Sequence, residues 1–161
     1  MGLLVLTLIV HAAPFFGINC DLVWEPAEDW PKIVETLMEA KVQTLRMPLR
    51  WTVLETKRGE WDFSRVDDAI KIVPDSVEIL ATLMSVPSWA NGTVPGECEG
   101  WFDCYPPKDL KDWENFVQTV VRRYKNRIHH WEIWNEQNGV DFYRPIPNPK
   151  EYTELLKTAY E

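Results

Sequence analysis

Apolar residues follow two alternating patterns along the chain, short continuous runs and helical spacings. The runs predict four strands, over residues 14–20, 42–49, 76–86 and 127–135. Between and after them, apolar positions three and four residues apart predict four helices. The clearest helix carries on one face Trp113, Phe116, Val117, Val120, Val121 and Tyr124.

Residues typical of helix ends support these predictions. Asp29 is suited to cap the first helix, and Pro74 closes the second, over 63–73. The last helix has Asn148 as a cap, followed by Pro149 and Glu151 in the first turn.

Strands that alternate with helices predict an α/β fold with a parallel sheet. Two architectures fit, an open doubly wound sheet and a barrel of eight strand–helix units. The first strand is not followed by a Gly-rich phosphate loop, which weakens the dinucleotide-binding alternative. The long loops after the second, third and fourth strands hold most of the Trp and Pro residues, which favours the active face of a barrel.

Residues 1–13 form an apolar N-terminal run that ends in Ala12 and Ala13. The run is too short to span a bilayer, and it fits a secretory signal peptide cleaved near these alanines. It lacks the basic residues that usually precede such a run, so the alternative is a buried strand. The first interpretation predicts a secreted protein and the second a cytoplasmic one.

Composition and charge narrow the function. The chain of 161 residues is 45% apolar and 26% charged, which suits one folded domain. Its net charge of -8 argues against nucleic acid as a partner. No His accompanies the cysteines at metal-ligand spacing, which argues against a zinc site. We expect neither a metal nor another cofactor. Nine tryptophans exceed what a core of this size needs, so some are candidate ligand platforms.

The three cysteines give a weaker signal. Cys98 and Cys104 flank a Pro- and Gly-rich stretch and could close a small disulfide ring, with free thiols as the alternative. Cys20 is expected to be a small buried apolar residue.

The fourth predicted strand carries two glutamates. Side chains alternate along a strand, so Glu132, Trp134 and Glu136 are predicted to share one face. Glu132 should be buried and needs a partner, for which Arg46 is the candidate. Glu136 lies at the carboxyl end, where a barrel places its catalytic groups. Four strand residues span about 13 Å, too far for the two glutamates to form a catalytic pair.

These stretches together resemble the N-terminal half of a clan A glycoside hydrolase. Family 39, the β-xylosidase and α-L-iduronidase type, is the closest, and family 5 is next. The stretches that carry the resemblance are "FFGINCD", "LRMPLRW", "GEWDFSRVD", "ATLMSVPSWA", "DWENFVQTVVRRYKNRIHHWEIWNEQN" and "NPKEYTELLKTAY". The resemblance implies a (β/α)8 TIM barrel of which residues 14–161 form the first four βα units, a half-barrel.

The family's roles transfer to matching positions. Glu136 matches the general acid/base of a retaining glycosidase, and Asn135 matches the residue that binds the sugar 2-hydroxyl. Arg46 matches the arginine beside the nucleophile, a role that competes with its pairing to Glu132. Four aromatic residues in the loops are candidates for lining the sugar subsites: Trp51, Trp89, Phe142 and Tyr143.

The chain departs from the family in two ways. Gln137 stands where Pro usually follows the catalytic Glu. The family's nucleophile ends a seventh strand, and Glu55, Glu97 and Glu99 are poor substitutes because they lie in predicted loops. We therefore expect a carbohydrate-binding chain that has the acid/base without the nucleophile and is inactive alone. The alternative is a non-catalytic half-barrel that binds carbohydrate or self-associates through its open strand edges.

Overall fold

The computed structural model describes residues 16–94 and 105–160. Within these ranges, strands and helices alternate as the pattern predicts. The elements are β1 Gly17–Asn19, α1 Trp30–Glu39, β2 Thr44–Arg50, α2 Trp51–Leu54, α3 Ser64–Ile72, β3 Glu78–Met84, α4 Ser88–Asn91, α5 Leu110–Tyr124, β4 His130–Ile133 and α6 Pro149–Tyr160.

The four strands form one parallel sheet in the order β1-β2-β3-β4, so the predicted parallel sheet is confirmed. Arg46 on β2 lies beside Asn19 on β1, and Thr82 on β3 lies beside Glu132 on β4. Because all strands run the same way, their carboxyl ends meet along one edge of the sheet.

The two faces of the sheet differ in polarity. The helix-side face is apolar and packs into the core, with six side chains that are 0% exposed: Leu45, Met47, Leu49, Ile79, Ala81 and Leu83. The opposite face, called here the inner face, carries polar side chains that include Arg46, Thr82 and Glu132. The inner face therefore carries the candidate functional side chains, and burial of the helix-side face stabilises the fold.

The helices lie where their apolar faces predict. In α5, Asp109 caps the first turn by accepting a hydrogen bond from Lys111 N at 2.9 Å, and Trp113 and Phe116 are fully buried. Asn148 Oδ1 accepts from Lys150 N at 3.2 Å, as predicted for the cap of α6. Asp29 precedes α1, but its side chain makes no capping bond, so that part of the prediction is wrong.

Element lengths differ from the predictions mainly at β1, at β4, which has four residues, and in the loops. β1 has three exposed residues and forms one edge of the sheet, because β2 is its sole partner among the described strands. The single-turn helices α2 and α4 were not predicted, since four residues are too few to show a helical period. Both follow strands directly and lie in the loops at the carboxyl edge.

Several sequence predictions fall outside the described residues. These are the signal peptide or strand of residues 1–13 and the bridge between Cys98 and Cys104, which remain predictions, as does secretion. Cys20 is a free thiol that is only partly buried beside the core, so full burial was wrong. None of the helices in the described ranges is long and apolar enough to cross a bilayer.

Candidate active site

Arg46 links three strands across the inner face. Its Nε donates to Glu132 Oε2 at 2.7 Å, and its Nη1 donates to Asn19 Oδ1 at 2.7 Å. Its Nη2 donates to Asn135 Oδ1 at 2.9 Å. Each guanidinium nitrogen therefore bonds a side chain from β1, β4 or the segment that follows β4.

Glu132 is the carboxylate at the centre of this network, so its predicted pairing with Arg46 is confirmed. Its Oε2 also accepts a hydrogen bond from Thr82 Oγ1 at 2.6 Å. Thr82 is 0% exposed, whereas the Glu132 side chain is 38% exposed, less buried than predicted. Two donors on one oxygen fix this carboxylate in place.

The end of β4 leaves the regular strand conformation. The strand stops at Ile133, and both Trp134 and Glu136 adopt positive φ, at 70° and 49°. This twist brings Asn135 to Arg46 and turns Trp134 into the core, 6.4 Å from Trp113 between ring centroids. The predicted sharing of one face by Glu132 and Trp134 is therefore wrong, because strand alternation ends before Trp134.

Glu136 is the exposed acid that follows. Its backbone carbonyl accepts from Gly139 N at 2.8 Å, which starts a turn. Its side chain makes no hydrogen bond or ion pair within the described part of the chain. The carboxylate is thus available to a ligand, in contrast to that of Glu132.

A cavity of about 190 Å³ lies at the carboxyl edge of the sheet, where it meets residues from all four strands or the segments that follow them. Its lining consists of Asn19, Asp21, Arg46, Pro48, Arg50, Met84, Asn135 and Phe142. Asn135, Arg46 and Phe142 were expected at a ligand site, and the cavity brings all three together.

A second ion pair, which was not predicted, joins Asp21 and Arg50 in the same cavity. Arg50 Nη2 donates to Asp21 Oδ2 at 2.5 Å, and the Arg50 guanidinium lies 5.2 Å from the ring centroid of Trp24. Burial raises the pKa of Asp21 more than Arg50 lowers it. The signal in the sequence was the spacing, because Arg46 and Arg50 are four residues apart on one strand and so share a face.

Trp51 and Tyr143 lie behind the cavity rather than in it. Both are 0% exposed, contrary to the expected sugar contact. Trp51 stacks on Phe116 at 4.7 Å, and its Nε1 donates to Glu55 Oε2 at 2.7 Å. Tyr143 packs 5.3 Å from Trp134, and burial is the main cause that raises its pKa. Both residues support the site through the core.

Trp89 is half-buried beside this cluster. Its ring meets Trp51 edge-on at 5.4 Å, and the Arg58 guanidinium lies 4.7 Å from its centroid. Trp89 Nε1 donates to the Glu55 carbonyl oxygen at 2.9 Å. The cavity lining does not include Trp89, so a role in walling a sugar subsite stays a prediction.

Glu55, one of the poor substitutes for a nucleophile, is a buried structural acid. Its side chain accepts from Trp51 Nε1 and from Gly59 N, both at 2.7 Å. Over residues 16–94 and 105–160, no group of three or more His, Cys, Asp or Glu is arranged to hold a metal ion.

Comparison with known proteins places this arrangement in context. No protein-family model matches the chain. The sequence is 37% identical to the β-galactosidase Bga of Halorubrum lacusprofundi in an alignment 130 residues long, which covers 69% of this chain and 19% of that protein.

Solved structures match almost the whole chain. A family 39 glycoside hydrolase from Bacteroides cellulosilyticus superposes on 91% of this chain and 28% of its own, with a TM-score of 0.66 and 19% identity. A β-xylosidase from Caulobacter crescentus superposes on 89% of this chain and 32% of its own, with a TM-score of 0.69 and 17% identity. The chain thus has the α/β fold of the N-terminal part of TIM-barrel glycoside hydrolases, and it spans about a third or less of each of these proteins.

Proposed function

We propose that this chain supplies the acid/base side of the active site of a retaining glycoside hydrolase. The observation that carries the proposal is the geometry after β4. Asn135 lines the cavity and is held by Arg46 at 2.9 Å, and Glu136 follows it with an exposed carboxylate. The relatives named above are glycosidases, which supports this class of reaction.

The contacts suggest how each residue contributes. Glu136 protonates the leaving glycosidic oxygen and later activates the water that completes hydrolysis. Asn135 uses its carbonyl oxygen to accept from Arg46, which leaves its amide hydrogens to donate to a sugar 2-hydroxyl. Arg46 fixes the orientation of that amide.

A retaining mechanism also needs a nucleophilic carboxylate about 5–5.5 Å from the acid/base. Asp21, in the cavity lining, and Glu132, beside Arg46, both form ion pairs with arginines. The family that the sequence resembles has its nucleophile at the end of a seventh strand, so we assign the nucleophile to a residue outside the described ranges, and the full reaction to a protein that includes it.

Hydrolysis of aryl glycosides tests this proposal. Aryl β-galactosides and β-xylosides are the first substrates to try, because they match the activities named for the relatives. The protein expressed from the complete open reading frame should cleave one of them with retention of the anomeric configuration, followed by proton NMR. Glu136→Ala should lower kcat by about 10²–10⁴-fold for substrates with poor leaving groups.

The 161-residue chain is assayed beside it as a control and should show no turnover above background. Full activity in Glu136→Ala would overturn the assignment of the acid/base. Turnover by the 161-residue chain that depends on Glu136 would instead refute the placement of the nucleophile.

A second candidate is a half-barrel that binds carbohydrate or associates with itself. It is favoured by the edge strand β1, where Phe16 and Ile18 are 48% and 41% exposed. Exposed edges of this kind pair readily with another chain. Sedimentation velocity distinguishes a self-associating half-barrel from a monomer that only binds carbohydrate. A monodisperse monomer across the micromolar range would exclude self-association.

A further inference from the structure

Arg50 lines the cavity and has hydrogen-bond donors that meet no acceptor among the described residues. Its side chain is 13% exposed and its Nη2 bonds Asp21, whose side chain is 22% exposed. Its Nε is buried and has no hydrogen-bond partner in the described part of the chain. Its Nη1 also makes no hydrogen bond within the described residues and, unlike Nε, is not among the buried polar atoms, so this donor can bond a ligand in the cavity that Arg50 lines.

Arg46 shows the opposite pattern and provides the comparison. All three of its nitrogens bond Glu132, Asn19 or Asn135, at 2.7–2.9 Å. All of its nitrogens bond other parts of the protein, whereas the Nη1 of Arg50 makes no hydrogen bond within the described residues. The two arginines share a face of β2, but Arg46 bonds three side chains and Arg50 bonds one.

The charges around Arg50 indicate which ligand it accepts. Each arginine is matched by one carboxylate, Arg46 by Glu132 and Arg50 by Asp21. Glu136, which follows the lining residue Asn135, adds a carboxylate that has no partner among the described residues. The cavity therefore has no surplus positive charge to bind an anion. A carboxylated sugar would meet Asp21 and be repelled.

Asp21 and Arg50 together present an acceptor beside a donor. Burial raises the pKa of Asp21, which shows that its ionised form is poorly solvated and would gain from another donor. A sugar hydroxyl donates and accepts at once, so two adjacent hydroxyls can satisfy both residues.

Trp24 adds an aromatic surface to this pair. Its side chain is 53% exposed, and the Arg50 guanidinium lies 5.2 Å from its ring centroid. Such a ring offers an apolar surface against which the C–H groups of a sugar ring can pack, and the stacked guanidinium keeps it in place.

We propose that Asp21, Arg50 and Trp24 form a specificity site that binds adjacent hydroxyls of a neutral sugar and rejects sugars that carry a carboxylate. This inference rests on the proposed glycosidase function and adds the substrate class and three residues to it.

Binding to the 161-residue chain tests the inference without catalysis. The probes are methyl β-D-galactopyranoside and methyl β-D-galactopyranosiduronate, which differ at one carbon. Titration followed by NMR should shift the Arg50 Nε–H and Trp24 Nε1–H signals. The neutral glycoside should bind at least about tenfold more tightly than the uronate.

Two variants distinguish recognition from structural support. Arg50→Met should weaken binding of the neutral glycoside by about tenfold, because a charge-assisted bond is lost. Asp21→Asn should reduce or reverse the preference for the neutral glycoside over the uronate, because it removes the negative charge that repels the uronate. Loss of structure alone would weaken the binding of both probes equally and leave the ratio of their affinities unchanged.

Arg122→Met is the matched control, since Arg122 lies on α5 and bonds Gln118 Oε1 at 2.9 Å, away from the cavity lining. It should bind both probes like the wild type. Preference for the uronate, an unchanged ratio in Asp21→Asn, or no binding of either probe would each overturn the inference. If hydrolysis by the complete protein depends on Glu136 while these binding results fail, the specificity site alone is refuted.

Discussion

Arg46 and Glu132 lie 86 residues apart in the sequence and meet at 2.7 Å, where they join β2 to β4 across the inner face. Thr82, on the strand between them, donates to the same carboxylate oxygen at 2.6 Å. The position of Asn135 depends on this contact, since the third nitrogen of Arg46 holds its side-chain oxygen. The pair therefore stabilises the sheet and also orients a candidate substrate-binding amide.

Thr82→Val should lower the free energy of unfolding by about 1 kcal/mol, because it removes a buried hydroxyl that donates to Glu132. Glu132→Gln should give a similar loss, since Arg46 and Thr82 keep a weaker, uncharged acceptor. Urea unfolding measures both, and a double-mutant cycle gives the coupling between them. Strict additivity would contradict the shared network, because both changes act on the same oxygen.

Two tryptophans bond the same glutamate from different sides and allow a matched comparison. Trp51 Nε1 donates to the Glu55 carboxylate, and Trp89 Nε1 donates to the Glu55 backbone carbonyl. Trp51→Phe should lower the free energy of unfolding by about 1–3 kcal/mol, because a buried carboxylate loses a donor. Trp89→Phe should lower it by about 0.5–1.5 kcal/mol, the range for a neutral bond.

Denaturant titration of both variants measures this difference. Equal losses, or a larger loss at Trp89, would show that Trp51 is not the stronger support of the core.

Asp67 gives a prediction about pH. Arg123 Nε donates to Asp67 Oδ1 at 2.9 Å, Tyr124 OH donates to it at 2.8 Å, and these bonds hold the pKa of Asp67 below its usual value of 3.8. Because the folded-state pKa is lowered, the stabilisation is fully present above the unfolded-state pKa. It is lost as the pH falls through the folded-state value.

Asp67→Asn should therefore reduce the free energy of unfolding at pH 7 by about 0.2–1 kcal/mol, a small effect because the ion pair is partly exposed. The gap from the wild type should close as the pH drops below about 4. Asp68→Asn, a neighbour on α3 without an ion pair in the described ranges, is the control and should show a smaller effect. A gap that widens on acidification would have the wrong sign.

The parts of the fold set by local periodicity could be predicted from the sequence. The face of α5 follows from the helical spacing of its apolar residues, and the parallel sheet follows from the alternation of strands with helices. The pairing of Arg46 with Glu132 could also be predicted, because a carboxylate in a strand of a parallel sheet is expected to need a cation as its partner.

The parts that depend on single turns could not. Position 134 gives no sign of a left-handed conformation, because the usual signal is Gly or Asn at the position itself and here it is Trp. The sequence also predicts an open loop at Trp51, because the four residues of α2 are too few to show a helical period, whereas this turn of helix after β2 places Trp51 in the core.

The backbone of Glu136 links stability to the proposed function. Its φ of 49° lies in the left-handed region, which is unfavourable for residues with a side chain and is often found at functional sites. Glu136→Gly and Glu136→Ala both remove the carboxylate, but glycine alone relieves the strain. The Gly variant should be more stable than the Ala variant by about 1 kcal/mol in urea unfolding, the reverse of their order in a regular helix or strand. If Ala proves the more stable, the position is not strained. If the Gly variant also exceeds the wild type, the glutamate is retained at the expense of stability, as expected of a residue kept for its chemistry.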